Sequence, residues 1–343
     1  MLSTSRATAA GLLAGYLADL AVGDPRRGHP VALFGRAADA LGRRMWADSR
    51  VRGAAYAGVC VGSAVGIGAL AHVATSRSPL ARAAVTAGAT WAVLGGTGLA
   101  GEGAAMARLL ESGDVNGARA RLPHLCGRDP SGLDEKDLAR AATESIAENT
   151  SDAVVAPLLW GAVAGVPGLL GYRALNTLDA MVGHRTPRYA LFGWASARGD
   201  DVANLAPARF SALAAAGCAP VVGGRGADAV RVWRRDAARH PSPNAGPVEA
   251  AFAGALDVRL GGVNRYEGTT EDRGTLGDGR TPGVADLRRA VRLSRAVGAV
   301  AAVVATGVAV CAERRFRCTG RSESVIRRTQ RSESVFRRIG GRG

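Results

Sequence analysis

The chain has 343 residues, 47% of them hydrophobic but only 5% aromatic, and a mean hydropathy of +0.05. That is higher than a typical soluble enzyme and lower than a bare bundle of lipid-embedded helices, so it predicts membrane spans joined by substantial polar loops. The net charge of +15 is uneven, because residues 314–343 hold ten Arg and two Glu; no nucleic-acid motif accompanies the arginines, which argues against a nucleic-acid partner.

Residues 7–22 are apolar but carry Asp19. They lack an n-region of several cations and a small-residue cleavage site, so they do not read as a cleaved signal. GDPRRGHP (23–30) is a Gly/Pro turn with Asp24 and His29. The 23–52 loop carries Arg26, Arg27, Arg36, Arg43, Arg44, Arg50 and Arg52, which places it in the cytoplasm by the positive-inside rule. Residues 53–75 and 83–101 are long, nearly uncharged windows that meet the ~20 residues needed to cross a bilayer. As a hairpin they return the chain to the cytoplasm for 102–150. Gly58, Gly62 and Gly66 recur every four residues, the spacing that lets membrane helices approach closely, and predict a packing face. GTGLAG (96–101) fits GxGxxG, but it lies in a window of small residues rather than after a strand, so no NAD site is expected. Lys136 is the only lysine and no GxxxxGK[ST] occurs, so any nucleotide site is of another kind. Further windows follow at 153–172 and 296–312, with 208–224 weaker. Cys60, Cys126, Cys218, Cys311 and Cys318 show no CxxC pair, and predict neither disulfides nor a zinc site; no haem is expected either. His72, His124 and His184 are isolated and carry no ligand reading.

The acids come next. In ESIAENTSDAVVAP (144–157), Glu144, Glu148 and Asp152 are four apart, so on a helix they lie within about 80° of one another. Like charges at that spacing cost roughly 0.2–0.5 kcal/mol per pair. That is trivial in water, and larger beside a bilayer unless a cation neutralises the row. The stretch alone leaves two readings open: a solvated face capped by Thr150 or Ser151, and a divalent-cation or substrate site. Two more clusters favour the second. NTLD sets Asn176 and Asp179 three apart, and GDDVANLAPAR sets Asp200, Asp201 and Asn204 within one turn, with Arg209 a turn later. Carboxylates with amide neighbours suit Mg2+, with Glu148, Asp200 and Asp201 as expected ligands. Arg173, Arg198 and Arg209 suit phosphate in forked geometry. In HPSPNAGPVEAAFAGALDVRLGGVNRYEG (240–268), Pro241, Pro243 and Pro247 predict an irregular turn. Asn244 is expected to cap the following helix, with Pro247 at its opening and Glu249 in its first turn. Such a helix start is a natural anion site, and LGGVN is expected to end the helix.

Together these stretches resemble the CobD/CbiB family of cobalamin-biosynthesis proteins, the adenosylcobinamide-phosphate synthases. The residues that carry the resemblance are DLAVGDPRRGHPVALFGR (19–36), ESIAENTSDAVVAPLLWGAVAGVPGLLGYRALNTLDAMVGHR (144–185), FGWASARGDDVANLAPARFSAL (192–213) and SPNAGPVEAAFAGALDVRLGGVNRYEG (242–268). Four motifs occur in the family's order, and the region alike spans 15–310. The resemblance implies a multi-pass inner-membrane enzyme that joins (R)-1-amino-2-propanol, or its O-phosphate, to a propionate carboxylate of adenosylcobyric acid. This acid–amine ligation is written as ATP-dependent, which implies an acyl-phosphate intermediate and the use of ATP and Mg2+. Other late corrinoid-pathway enzymes are implied partners. On this reading Glu144, Glu148, Asp152, Asp179, Asp200 and Asp201 are the catalytic acids, serving Mg2+ and the incoming amine. Arg173, Arg198 and Arg209 hold phosphates, and Asn149, Asn176, Asn204, Asn244 and Asn264 orient amide and carboxylate groups. Asp24, His29, Glu249 and Tyr266 complete the expected substrate contacts.

Two other classes remain in view. A transporter using intramembrane acids lacks inverted-repeat symmetry between the halves. A non-catalytic scaffold for corrinoid assembly would account for the missing Walker motif. The expected fold is mainly α: a multi-pass helical membrane domain over 1–312 with polar cytoplasm-side loops, then an Arg-rich, low-complexity tail over 313–343 without regular structure. If 153–172 crossed fully, the ESIAEN and NTLD acids would fall on opposite faces. Pro157, Pro167 and several glycines predict instead a broken or re-entrant segment, tolerated where protein covers it, so the acid clusters are expected to converge.

Overall fold

The computed structural model of the chain describes the backbone of residues 4–23, 28–184, 186–266 and 269–339, and their side chains except at 4–5, 265–266, 269–270 and 312–339. The first half runs α1 (Thr4–Val22), α2 (Pro30–Met45), α3 (Arg50–Ala74), α4 (Pro79–Val93), α5 (Gly96–Glu111) and α6 (Val115–Arg121). The second runs α7 (Glu135–Thr150), a π-helical turn (Ser151–Val155), α8 (Ala156–Val182), α9 (Trp194–Cys218), α10 (Gly226–Asp236), α11 (Ala245–Leu256), the hairpin β1 (Leu260–Tyr266) and β2 (Thr269–Leu276), and α12 (Val284–Ile339). Short polar caps start these helices: Ser78 Oγ accepts from Ala81 N at 3.2 Å ahead of Pro79, and Asp134 Oδ1 from Asp137 N at 2.8 Å.

The protein is a multi-pass helical membrane protein. Five segments are long and apolar enough to cross a bilayer: Arg50–Ala74, Pro79–Glu111, Glu135–Val182, Trp194–Val222 and Val284–Cys311. Each overlaps one of the windows read from the sequence. The window 83–101 is not one straight span, however. It breaks between α4 and α5 at Leu94–Gly95, where Gly95 N donates to the carbonyl of Ala153 in the π turn at 3.1 Å. GTGLAG therefore opens α5 directly after a helix.

The segment 153–172 is broken, as Pro167 and its glycines predict. Gly165 has φ +65° and ψ −148°, outside any helix. A straight helix would set residues 152 and 172 about 30 Å apart, yet the Tyr172 hydroxyl donates to the Asp152 carbonyl at 3.2 Å. The chain therefore turns back at Gly165 as a helical hairpin. Gly168 lets the returning arm lie on the carbonyl of Trp160, where a Cβ would collide. The tip reaches α3, whose Gly68 would carry a Cβ only 2.7 Å from Pro167 Cα. Gly53, at the start of the same helix, lies against the backbone of Phe192, just ahead of α9. The 15 residues between Gly53 and Gly68 rise about 22 Å, so the tip enters deeply while both arms open at the Gly53 end.

The stripe Gly58, Gly62 and Gly66 does not pack: nothing stands within 4 Å of a Cβ built on any of them. Close approach is made elsewhere. On α1, Gly11 and Gly15 fit against Thr86 and Thr90 of α4, and a Cβ on either glycine would stand 2.5 Å from the threonine Cβ. The packing face expected on α3 is thus overturned, and the same four-residue glycine spacing packs on α1 instead. LGGVN does not end α11. That helix stops at Leu256, with Asp257 left-handed (φ +57°), and LGGVN forms β1 in an antiparallel hairpin with β2. Positive φ at Gly261 and Gly262 accompanies an irregular register there. The backbone of α12 continues as helix to Ile339, where no regular structure was expected; Arg is a good helix former and no Pro interrupts the tail.

Candidate functional site

Acids from three separated stretches meet at one cavity of about 420 Å3. Glu148 comes from α7, Ser151 and Asp152 from the π turn, and Asp179 from the returning arm of α8. Asp200, Asp201 and Asn204 come from α9, and Ser242, Asn244, Ala245 and Val248 from the start of α11. The hairpin makes this possible, since it brings Asp179 back to the level of Asp152. A π turn admits an extra residue, re-aims the side chains around it, and is found frequently at functional sites.

Amides hold the acids in place. Asp200 accepts from Asn204 Nδ2 at 2.9 Å and from Asn176 Nδ2 at 3.4 Å. Asn204 Oδ1 in turn accepts from the Tyr172 hydroxyl at 2.8 Å. Asn244 Nδ2 donates to the Asp201 carbonyl at 2.7 Å, and its Oδ1 accepts from Arg209 at 3.0 Å. Asn244 therefore bridges α9 and α11 rather than capping α11. The cap is Ser242, whose Oγ accepts from Asn244 N at 3.3 Å and Ala245 N at 3.1 Å.

Five carboxylates line the cavity, and no Arg, Lys or His is among its lining residues. Charges of one sign this close require a counter-cation or a shared proton. An ammonium ion or Mg2+ fits the oxygen-rich donor set. Among the described residues no three His, Cys, Asp or Glu side chains are already gathered to cage a metal. The fit is thus to an ion held by one or two carboxylates that keeps several waters, which is the habit of Mg2+.

Glu144 does not reach this cavity. It is buried with Arg128, each side chain 3% exposed, and accepts from Gly261 N at 2.7 Å, beneath the β hairpin. Glu144 and Glu148 stand on the same regular helix α7, but β1 covers Glu144 through Gly261 while Glu148, one turn on, opens into the cavity. Asn264 belongs to the same buried group: its amide oxygen faces Arg128 at 2.7 Å and its nitrogen Val263 O at 3.2 Å. Glu249 lies in the second turn of α11, not the first, and is fully buried. Neither of its oxygens has a hydrogen-bond partner among the described residues, while His240 Nε2 and an Arg273 guanidinium nitrogen each stand 3.7 Å from Oε1. Burial, then Glu144 and Glu148, push its carboxyl well above the ordinary range. Burial and Arg273 bring His240 down to about 4.

A second cavity, of about 670 Å3, lies across the π turn. Asn149, Ala153 and Arg173 line it together with Gly95, Gly98, Leu99, Glu102, His124 and Leu125. Asn149 also donates to Ser145 O at 3.0 Å. His124 and Glu102 were not read from the sequence as site residues, and neither were Tyr172, Ser242 and His240. Other expectations fall away from both cavities. His29 caps α2, its Nδ1 accepting from Val31 N at 3.2 Å. Arg198 is exposed, 3.7 Å from Asp201. Arg209 is committed to Asn244 and to Leu205 O at 3.1 Å. Asp24 lies outside the described residues, and the Tyr266 side chain outside the described side chains.

The family model for CobD/Cbib protein matches residues 12–294. The cobalamin biosynthesis protein CobD of Mycobacterium tuberculosis (strain H37Rv) is 60% identical over 304 residues, covering 88% of this chain and 96% of its own. The protein of the same name from Geobacter metallireducens is 44% identical over 277 residues, 79% of this chain and 87% of its own. That of Rhodobacter capsulatus is 53% identical over 193 residues, 56% of this chain and 60% of its own. No solved structure matches.

Proposed function

The chain belongs to the CobD/Cbib family, and from that premise we propose that its acid cavity performs an amide ligation in cobalamin biosynthesis. The reaction joins (R)-1-amino-2-propanol, or its O-phosphate, to the propionate carboxylate of adenosylcobyric acid, with ATP. The observation that carries this reading is the convergence of Glu148, Asp152, Asp179, Asp200 and Asp201 on one cavity.

The chemistry follows from charge. At neutral pH the amine arrives as an ammonium ion, and five carboxylates attract it and replace its water. Transfer of the terminal phosphoryl group of ATP to the propionate oxygen gives an acyl phosphate and ADP. A cavity carboxylate first takes one proton from the ammonium and frees the nitrogen's lone pair; the neutral amine attacks the acyl carbon, the C–N bond forms as the bond from that carbon to the phosphate oxygen breaks, and the second proton passes to a carboxylate or to the departing phosphate. Glu148 and Asp152, on the edge of the π turn, are the acceptors assigned here. Asp200 and Asp201 would hold Mg2+, which when bound supplies positive charge to the transferring phosphoryl group. Asn176, Asn204 and Asn244 keep the acids aimed at the cavity. Arg-rich loop 23–52 on the cytoplasmic side of the inner membrane puts the Gly53 end of α3, and with it the cavity, on that side.

The test is reconstitution. Purified protein in lipid nanodiscs is given adenosylcobyric acid, either amine, ATP and Mg2+, and the corrinoid products are separated and weighed by mass spectrometry. Formation of the amide only with ATP supports the reading. Folded protein that makes no amide from either amine overturns it.

A further inference from the structure

The second cavity has no part in the ligation as written above, and its charge differs in kind from that of the first. The two share the π turn as a common wall: Glu148, Ser151 and Asp152 line one, Asn149 and Ala153 the other. Arg173 lines the second cavity from the returning arm of α8 and also faces Asp152 across that wall. The one acid among the lining residues, Glu102, is already paired with Arg121 at 2.9 Å and faces His124 Nδ1 at 3.5 Å. The start of α5 does not supply the charge, since Asp19 already takes Thr97 N at 3.1 Å.

A phosphate monoester placed against five carboxylates is repelled, whereas across the π turn it meets a guanidinium. Asp152 and Arg173 interact beside the π turn, where the cavities adjoin, so a zwitterion seated there would set its ammonium beside the acids and its phosphate beside the guanidinium. We propose that the second cavity is the phosphate subsite for a phosphorylated amine, with Arg173 as its cation. This rests on the ligation above for the identity of the amine. Arg198 and Arg209 line neither cavity, whereas Arg173 lines the second one while also bonding Asn176 Oδ1 at 3.5 Å.

The test uses the full chain in nanodiscs with Arg173→Ala, and with Arg173→Lys, which keeps the charge should the alanine variant misfold. The readout is the ratio of kcat/KM for aminopropanol O-phosphate to that for aminopropanol. Calorimetric binding of aminopropanol O-phosphate and of inorganic phosphate is measured beside it. Loss of one or two charge-assisted hydrogen bonds lowers the ratio by about tenfold to a hundredfold in Arg173→Ala. Arg173→Lys is expected to keep part of the ratio, and phosphate binding weakens in step. Equal loss with both amines would mean that Arg173 acts only by positioning Asn176 and Asp152, and overturns the subsite. A rise confined to the KM for ATP overturns it in favour of a nucleotide phosphate. Wild-type protein that ligates neither amine, yet binds the phosphorylated amine through Arg173, would refute the ligation and leave the subsite standing. Absence of Arg173-dependent binding refutes the subsite alone.

Discussion

Gly165→Ala tests whether the chain needs its helical hairpin. The backbone there, φ +65° and ψ −148°, belongs to a region open essentially to Gly alone. An added Cβ would stand 3.5 Å from His72 Nδ1, an ordinary contact, so the cost is backbone strain and not collision. Holding a non-Gly residue in such a conformation costs about 1–3 kcal/mol. Relief of that strain would straighten the turn and pull the Tyr172 hydroxyl off Asp152 and Asn204. Gly58→Ala is the control. That glycine is helical and exposed with nothing near its Cβ position, and Ala is favoured over Gly in a helix by roughly 1 kcal/mol. Unfolding in nanodiscs can be followed with a thiol-reactive dye, because Cys60 and Cys218 are buried. The expected result is a lowered midpoint and lost ligation for Gly165→Ala, against an unchanged or raised midpoint for Gly58→Ala. Equal midpoints for the two variants, or a Gly165→Ala enzyme of full activity, would refute the hairpin.

Three further outcomes are expected. Asp200→Asn with Asp201→Asn removes two of the five cavity carboxylates and should abolish corrinoid production in a complementation strain while leaving protein abundance intact; undiminished production removes this pair from the mechanism. Arg128→Ala removes the nearer guanidinium from buried Glu144 and leaves it Arg140 at 3.8 Å and Gly261 N, a loss of up to about 3–5 kcal/mol, and Glu144→Gln in the same chain should recover part of the thermal midpoint; a silent Arg128→Ala would show that the pair is not structural. His240, held at about 4 by burial and Arg273 against an ordinary imidazole value of 6.5, stays neutral in the fold while the unfolded chain takes up a proton. Its contribution is therefore full above pH 6.5 and is lost as pH falls from 6.5 towards 4, by about 3 kcal/mol at most. His240→Gln should flatten that part of the stability–pH curve, and an unaltered slope would count against a neutral buried His240.

Much of the architecture was legible because its signals are local. Uncharged windows mark spans whatever surrounds them, and Pro167 with its glycines marks a break wherever it lies. The acid clusters could be paired because their chemistry is shared. What stayed hidden depends on distant parts of the chain. Glu144 and Glu148 are equivalent by spacing, and only the covering β1 with Arg128, both remote in sequence or outside the motif, separates a buried ion pair from a cavity wall. LGGVN carries no alternation, since glycines occupy the positions that would reveal a strand, so the hairpin was missed. Asn244 and Ser242 are both good caps by type, and the choice between them is made by Asp201 and Arg209, some 35 to 43 residues away. His240 has no neighbour in sequence that signals its approach to Glu249.

The two helix breaks are best understood as one feature. A break at membrane depth frees backbone groups that lipid cannot satisfy. Gly95 N–H, freed between α4 and α5, donates to the Ala153 carbonyl of the π turn at 3.1 Å. Straightening either segment would strand a polar group of the other, so neither is stable alone. Their junction is also the wall between the two cavities: Gly95 and Ala153 line one, Ser151 and Asp152 the other. The division between an acid cavity and an arginine-bearing one is thus set by paired backbone geometry. Side-chain substitution within either cavity should alter affinity for its own ligand before it disturbs the partition.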